Sequence, residues 1–255
     1  MTLSGRIAAL HRHPIKGFTP QPLAVAELSP EAGVRHDRVY AVENGPSGFD
    51  PLAPGHISKM RFVALAPTPR AAKVRTALDD ATGLITMTAP GMAPLRVDLS
   101  QATDRRRFEA WLTDILGDEV NGPLKVVDAP GHRFLDDPAG QISLTSLSSL
   151  DALGRSLGRP VDPLRLRANI QVQGWPPFAE LDLAAGAVVR IGAATARVVK
   201  PIRRCIATRV NPDTAERDMD LVGALQALIG RPDCGVYVQI VDGAEVRTGD
   251  VIEVA

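Results

Sequence analysis

The sequence Ala187-Val-Val-Arg-Ile-Gly192-Ala-Ala-Thr-Ala-Arg-Val-Val199 runs directly into Lys200-Pro-Ile-Arg-Arg-Cys205-Ile-Ala-Thr208. The first part places short apolar stretches on both sides of Gly192, which predicts a β-hairpin. The second part leads that hairpin to a thiol that lies near three cations. Nearby positive charge favours the thiolate, the form of cysteine that binds metals and attacks electrophiles. A plain packing role for Cys205 is an equal alternative at this point.

The rest of the chain shows the same pattern of short apolar runs, separated by many of the 22 glycines and 21 prolines. Such runs predict strands. The predicted strands cover residues 3–10, 22–28, 38–43, 61–66, 84–88, 94–98, 124–127, 169–173, 187–191, 194–200, 236–241 and 250–254. Apolar residues at helical spacing and capping residues predict three helices, which run from Asp104 to Leu116, from Thr145 or Ser146 to Leu157, and from Asp218 to Ile229.

The predicted fold class is α+β, mainly β, because strands outnumber helices and do not alternate with them in βαβ order. This pattern favours barrels or sandwiches with attached helices. Asn121-Gly-Pro is the best boundary between segments. It divides the chain into two predicted β-rich units, residues 1–120 and 121–255.

Composition excludes several classes of partner. Lys plus Arg and Asp plus Glu balance at 29 each, so no global field favours nucleic acid or an anionic membrane. Two cysteines are too few for a disulfide framework and indicate a reducing compartment. The sequence shows neither a signal peptide nor a run of 18 apolar residues. We therefore expect a cytoplasmic protein without a membrane span.

Two polar clusters in the first third of the chain are candidates for an anion site. Lys16 lies on a Pro/Gly bend, where one cation and backbone N–H groups could hold an anion, although a solvated lysine is the simpler interpretation. His11 and His13 could form a metal pair, but no third ligand follows at a recognisable spacing. In the second cluster, strand alternation would place Arg38 and Tyr40 on one face. Arg38 would then point into a cleft, or else form a surface ion pair with its neighbour.

Two further clusters lie in the second half. The hydroxyls between Thr145 and Ser149 occur at a predicted helix start, where they could cap the helix or help its free N–H groups bind a phosphate. Strand alternation would direct Arg165, Arg167 and Asn169 to one face. Three such donor groups suit a phosphate or pterin ligand, and a solvated strand face is the alternative.

Taken together and in order, these clusters resemble the MOSC family, relatives of the C-terminal domain of molybdenum cofactor sulfurase. The resemblance covers nearly the whole chain. Its most specific part is the cysteine segment with its Asn-Pro-Asp-Thr turn. The matching segments are His13-Pro-Ile-Lys16-Gly17, Gly33-Val-Arg-His-Asp-Arg38, Ile142-Ser-Leu-Thr-Ser146-Leu-Ser-Ser149-Leu150, Arg167-Ala-Asn169-Ile, and Arg204-Cys205-Ile-Ala-Thr208-Arg-Val-Asn-Pro-Asp-Thr214.

The resemblance implies a MOSC-type β-barrel with attached helices, preceded by an N-terminal β-barrel-like domain. In the related mitochondrial amidoxime reducing component, the matching cysteine ligates molybdenum, which a pyranopterin dithiolene also holds. The resemblance therefore implies the molybdenum cofactor as the ligand and Cys205 as both metal ligand and catalytic residue. The implied cofactor contacts are Lys16, Arg38, Ser146, Ser149, Arg167, Asn169, Arg204 and Thr208. Cations and hydroxyls suit a phosphate, and a thiolate suits a soft metal.

Three functions follow as alternatives. The first is a reductase of small N-hydroxylated or N-oxide substrates. The second is a cofactor carrier or a persulfide-handling module without turnover. The third is a β-rich binding protein without a cofactor. An acid that is common in the family is absent at Leu147, which argues against a proton donor there. Because no Cys-rich ferredoxin-like extension is present, the reductase would need a separate electron-donor protein.

The sequence leaves open the roles of the arginines near the thiol and of two other residues. Arg203, Arg204 or Arg209 could orient a polar substrate, and the sequence does not distinguish among them. Cys234 could be a second ligand, but a packed free cysteine is the simpler interpretation. Trp175 could line the entrance of a substrate site or fill a local hydrophobic cluster.

Overall fold

The computed structural model describes residues 3–254 and shows a mainly β chain. Within that range the strands are β1 (Leu3–Arg12), β2 (Gln21–Leu23), β3 (Val25–Ser29), β4 (Gly33–Val34), β5 (Ala41–Asn44), β6 (Arg75–Leu78), β7 (Ile85–Thr88), β8 (Leu95–Val97), β9 (Leu124–Val127), β10 (Ile142–Ser146), β11 (Ile170–Gln173), β12 (Val188–Ile191), β13 (Ala194–Arg203), β14 (Asp233–Asp242), β15 (Ala244–Arg247) and β16 (Val251–Val254). The α-helices are α1 (Ala102–Leu116), α2 (Leu147–Leu157) and α3 (Leu221–Ile229). The predicted fold class is confirmed.

Seven strands form a closed barrel in the order β11, β10, β14, β13, β12, β16 and β1, and pairing of β1 with β11 closes it. The β10–β11 pair is parallel, so it needs a crossover connection, which α2 supplies. β1 lies between β11 and β16, so the start of the chain completes a barrel built mostly from the second half. Alternate apolar residues fill the interior, among them Ile7, Leu10, Ile142, Leu144, Ile170, Val172, Val189, Val198, Val236 and Ile252.

A second core lies between α1 and the small sheets of the first half. The sheet β6-β7-β8 and the β5–β9 ribbon surround it. Phe18 and Phe108 pack edge to face with ring centroids 6.0 Å apart. Val210 of the second half also packs in this core, and β5 of the first half pairs with β9 beyond residue 121. Each predicted unit thus contributes residues or strands to the core or sheets of the other unit.

The structure corrects several predicted elements. Residues 61–66 are not a strand: Arg61 ends a short 3₁₀ helix and the following buried run turns back, with the Thr68 amide donating to the Ala64 carbonyl at 2.8 Å. A short apolar run that is buried on all sides cannot be assigned by periodicity alone. The predicted strand 38–43 begins only at Ala41, because Arg38 adopts a left-handed backbone conformation with φ of 56°. Strands β4, β6, β10 and β15 were not predicted.

All three helix starts differ from the prediction, and α1 begins at Ala102 rather than at Asp104. Helix α3 begins at Leu221, where the Asp220 carboxylate accepts a hydrogen bond from the Gly223 amide at 3.2 Å and caps the helix. The hydroxyl-rich segment before α2 is the barrel strand β10, so Thr145 belongs to a strand. Ser146 precedes α2, and its side chain does not cap the helix.

Candidate functional site

A cavity of about 410 Å³ is lined by residues from both halves of the chain. Its volume is within the range of small-molecule sites. Eight basic side chains line it against two acidic ones, Asp136 and Asp137. Because the whole chain has no net charge, positive charge is concentrated here and favours an anionic ligand. The basic residues are Lys16, Arg38, Lys59, Arg165, Arg167, Lys200, Arg203 and Arg204.

Cys205 lies half-buried on the wall of this cavity, directly after β13. The ammonium of Lys59 donates a hydrogen bond to its Sγ at 3.2 Å. Burial would lower the pKa of Lys59, but Asp136 and Cys205 together raise it above its usual value. Lys59 therefore keeps a positive charge beside the sulfur. The Thr208 hydroxyl donates to the Cys205 carbonyl at 2.9 Å and closes the turn that holds the cysteine.

Lys16 reaches the same cavity from the turn after β1. Its side chain is 4% exposed, and its Nζ donates to the Phe134 carbonyl at 3.0 Å and to the Asp136 carboxylate. Asp136 also accepts from Lys59 at 2.9 Å, so one carboxylate joins the two lysines. Burial opposes ionisation of Asp136, but the two ammonium groups hold its pKa well below the usual range. Asp136 is therefore a permanent anion that fixes both lysines.

The turn that presents Lys16 depends on Gly17. Gly17 has φ of 95°, and a Cβ there would lie 2.2 Å from the Val63 carbonyl oxygen. We expect Gly17→Ala to lower the free energy of unfolding by about 2–4 kcal/mol, since the positive φ and the clash both add cost. Urea titration measures this change.

Gly83→Ala is the matched control for that variant. Gly83 has φ of 73°, but a Cβ there would meet no atom within 4 Å. Its cost is then the backbone strain alone, about 1 kcal/mol. Equal destabilisation by the two variants would contradict the steric role assigned to Gly17.

Arg38 and Arg167 face each other in an unusual backbone geometry. Both have positive φ, 56° and 53°. Such conformations cost about 1–3 kcal/mol in non-glycine residues and concentrate at functional sites. The Arg38 guanidinium donates to the Arg167 carbonyl at 3.1 Å and to the Asn169 side-chain oxygen at 3.3 Å. Asn169 also accepts from the Ser143 hydroxyl at 3.0 Å, which fixes its amide. The strained turns therefore place three donor-rich side chains at one point.

The positive charge around Arg167 is only partly offset by Asp136 and Asp37. Its guanidinium donates to the Phe18 carbonyl at 2.8 Å and lies 3.1 Å from Nδ1 of His13. Burial and the Arg38 guanidinium lower the pKa of Arg167 to about 10, so it stays protonated at neutral pH. Burial and the two arginines also hold the pKa of His13 well below its usual value, so that ring is neutral. An anion between the guanidinium groups would relieve their repulsion.

Arg204 has one unsatisfied nitrogen. Its side chain is buried and donates to the Cys234 carbonyl at 2.7 Å and the Leu166 carbonyl at 2.8 Å. Its third guanidinium nitrogen is buried and has no hydrogen-bond partner among residues 3–254. A buried donor without a partner costs about 1–3 kcal/mol. This nitrogen lies next to Gly235, where a Cβ would be 2.9 Å from it.

Two family models match the sequence. The MOSC domain matches residues 131–253, and the MOSC N-terminal beta barrel domain matches residues 4–122. The chain belongs to the MOSC family. That family is associated with molybdenum cofactor binding, and its members include enzymes and non-catalytic proteins. The predicted family is confirmed.

Solved structures similar to this MOSC chain include the YUAD protein from Bacillus subtilis, at 14% identity and a TM-score of 0.49, covering 100% of this chain and 97% of that one. YiiM from Geobacillus stearothermophilus is 18% identical with a TM-score of 0.38, covering 46% of this chain and 55% of that one. YiiM from Escherichia coli is 17% identical with a TM-score of 0.35, covering 47% and 56%. No protein of curated function matches the sequence.

The MOSC cavity brings together most of the residues that the sequence suggested. Those that line it are Lys16, Arg38, Arg167, Asn169, Arg204, Cys205 and Thr208. Ser146 and Ser149 are not among the lining residues. Ser149 donates to the buried Glu180 carboxylate at 2.9 Å, and the Ser146 hydroxyl is buried without a partner in the described chain. The cavity gives the predicted cofactor role of these two serines no support.

Sequence reasoning missed Lys59 and Asp136. Lys59 follows an irregular segment and is 146 positions from the cysteine that it contacts. Asp136 is 120 positions from Lys16. Only the folded chain brings these groups together, and neither residue belongs to a local motif.

Three side chains that the sequence left open have structural roles. Trp175 is 1% exposed in the barrel core, so it does not line the cavity mouth. Cys234 is fully buried between α2 and α3, and burial raises the pKa of its thiol to about 12. His13 contacts Arg167, and within residues 3–254 no three His, Cys, Asp or Glu side chains are grouped to hold a metal. In the same range, no helix is both long and apolar enough to cross a membrane.

The donor set fits the molybdenum cofactor. A half-buried thiol offers a soft ligand, and the buried cations offer charge-assisted hydrogen bonds to a phosphate.

Proposed function

We propose that this protein binds the molybdenum cofactor in the cavity and reduces small N-hydroxylated or N-oxide compounds. The observation that supports this most is the position of Cys205, whose sulfur lies on the wall of a cavity with eight basic side chains. A thiol in a packed core would not need this charge. The MOSC family's association with the cofactor agrees with this proposal.

Each part of the cavity has a role in the proposal. Cys205 would be the protein ligand to the metal. Lys16, Arg38, Arg167 and Arg204 would neutralise the phosphate and bind the pterin edge, and Asn169 would orient Arg38 through their 3.3 Å contact. Thr208 would fix the cysteine turn through its bond to the Cys205 carbonyl. When bound, the cofactor supplies the two-electron redox chemistry.

The chain's own groups prepare the site in two ways. Lys59 donates a hydrogen bond to the cysteine sulfur at 3.2 Å, which fixes the position of the sulfur on the cavity wall. The buried run from Phe62 to Ala66 forms an apolar wall; Ala64, Leu65 and Ala66 line the cavity and exclude water from that side. Electrons would come from a separate donor protein.

The test uses the full chain, expressed with the molybdenum cofactor available and assayed for reduction of benzamidoxime with an artificial electron donor. We expect about one molybdenum per chain and turnover that depends on the donor. Bound molybdenum without turnover on any N–O compound would favour the carrier function instead. A chain without molybdenum after cofactor-replete expression would overturn both.

A further inference from the structure

The structure distinguishes among the three arginines that could meet a substrate. Arg204 is buried and already donates to two backbone carbonyls. Arg209 does not line the cavity, and its Nε lies 3.6 Å from the Asp220 carboxylate. Arg203 lines the cavity and is exposed, and it forms no side-chain hydrogen bond or ion pair with any residue from 3 to 254. Arg203 is therefore the one of these three arginines whose whole guanidinium has no partner in the described part of the chain.

The two lysines near the thiol already have carboxylate partners. Lys59 pairs with Asp136 at 2.9 Å, and Lys200 pairs with Asp137 at 2.6 Å. Asp136 and Asp137 are the two acids of the cavity lining, so no lining acid is left for Arg203. Arg203 is thus the exposed cation of the cavity lining that has no carboxylate partner.

Arg203 and Cys205 line the same cavity two positions apart in the chain. Arg203 is the last residue of β13, and Cys205 continues in extended conformation with φ of −130°. Side chains two positions apart in an extended segment project to the same face, about 7 Å apart along the chain. A guanidinium on that face can reach a group bound next to the cysteine.

We propose that Arg203 binds an anionic group of the substrate, so that the preferred substrates are N–O compounds that also bear a carboxylate. This inference rests on the proposed function, because it names the substrate class of the same site. A planar guanidinium matches a carboxylate with two parallel hydrogen bonds, and such charge-assisted bonds are stronger than neutral ones. The buried cations Lys16 and Arg204 lie deeper and would hold the cofactor, whereas the exposed Arg203 remains for the substrate.

The kinetic test compares benzamidoxime with 4-carboxybenzamidoxime on the molybdenum-loaded protein. We expect kcat/KM about tenfold higher for the carboxylated compound, the size of one hydrogen bond to a charged group. Added salt should reduce this ratio, because the contact is at an exposed site. In Arg203→Ala the ratio should fall to about one, and the molybdenum content should stay at the wild-type level.

A binding test gives a second readout that does not need turnover. Calorimetry compares 4-carbamoylbenzoate with benzamide, and we expect about tenfold tighter binding of the anion in the wild type and equal binding in Arg203→Ala. Arg190→Ala is the matched control, since Arg190 is an exposed arginine of the adjacent strand β12 that does not line the cavity. That variant should retain the wild-type ratio in both tests.

The outcomes separate this inference from the proposed function. Turnover of benzamidoxime without any preference for the anion would overturn the role of Arg203 and leave the reductase intact. Anion-selective binding without turnover of either compound would support the role of Arg203 and overturn the reductase function. Loss of molybdenum from Arg203→Ala would show that this arginine holds the cofactor, and the inference would then be wrong.

Discussion

Cys205→Ala is expected to reduce bound molybdenum and any reductase activity to background while the fold survives. The thiol is half-buried, and among the described residues its sulfur has one hydrogen-bonding partner, the Lys59 ammonium at 3.2 Å. Removing it deletes the soft ligand but little packing, so the free energy of unfolding should change by less than about 1 kcal/mol. Elemental analysis of purified protein and thermal unfolding measure the two effects.

Cys234→Ala is the matched control for this experiment. Cys234 is the other cysteine of the chain and packs in the core between α2 and α3. Its replacement should leave molybdenum in place and cost about 1 kcal/mol through the small cavity that forms. Molybdenum retained by Cys205→Ala at the wild-type level would disprove the metal-ligand role.

Asp37→Ala is expected to be the most destabilising of the substitutions considered. Asp37 is fully buried and accepts from Arg38, from Arg133 at 2.8 Å and from the His13 amide at 2.8 Å. Without the carboxylate, two largely buried guanidinium groups lose their common partner, which costs about 3–5 kcal/mol. Because Arg38 and His13 belong to the cavity region, the variant should also bind less molybdenum. Urea titration at neutral pH measures the loss of stability.

The pH dependence of this effect has a definite sign. Burial opposes ionisation of Asp37, but Arg38 and Arg133 lower its pKa on balance. A carboxylate with a lowered pKa in the folded state stabilises the fold fully above its unfolded pKa of about 3.8 and loses that effect as pH falls through the folded value. The difference in unfolding free energy between wild type and Asp37→Ala should therefore shrink only in strong acid.

An exposed ion pair provides the comparison. Asp213 pairs with Arg75 at 2.6 Å, and both side chains are more than half exposed. Asp213→Ala should cost no more than about 1 kcal/mol. A similar cost for Asp37→Ala would show that the buried carboxylate does not organise the arginines around it.

Local sequence was sufficient to predict the structure where a short segment determines its own conformation. The turn at Gly192 and the strands that flank it occur as predicted, because apolar residues and one glycine define a hairpin without outside help. The cysteine segment was also sufficient to place Cys205 after a strand, next to basic residues. The seven cavity-lining residues that the resemblance had suggested lie in such motifs.

Prediction from the sequence failed where contacts between distant parts of the chain determine the backbone conformation or the site. Strand alternation wrongly placed Arg38 and Tyr40 on one strand face, because Arg38 is in a left-handed turn before the strand begins. It also directed Arg165, Arg167 and Asn169 to one strand face, whereas Arg165 lies in a short 3₁₀ helix and Arg167 follows that helix in the left-handed region. The contact of Lys59 with Cys205 joins positions 146 residues apart and leaves no local pattern.

Closure of the barrel by β1 has a consequence for biogenesis. Leu3 pairs with Val254 and Arg6 with Val251, so β1 stays without this partner until β16 has been synthesised. Contacts of such sequence separation slow folding. The barrel therefore cannot close before β16 has left the ribosome, and its closure is a late step of folding.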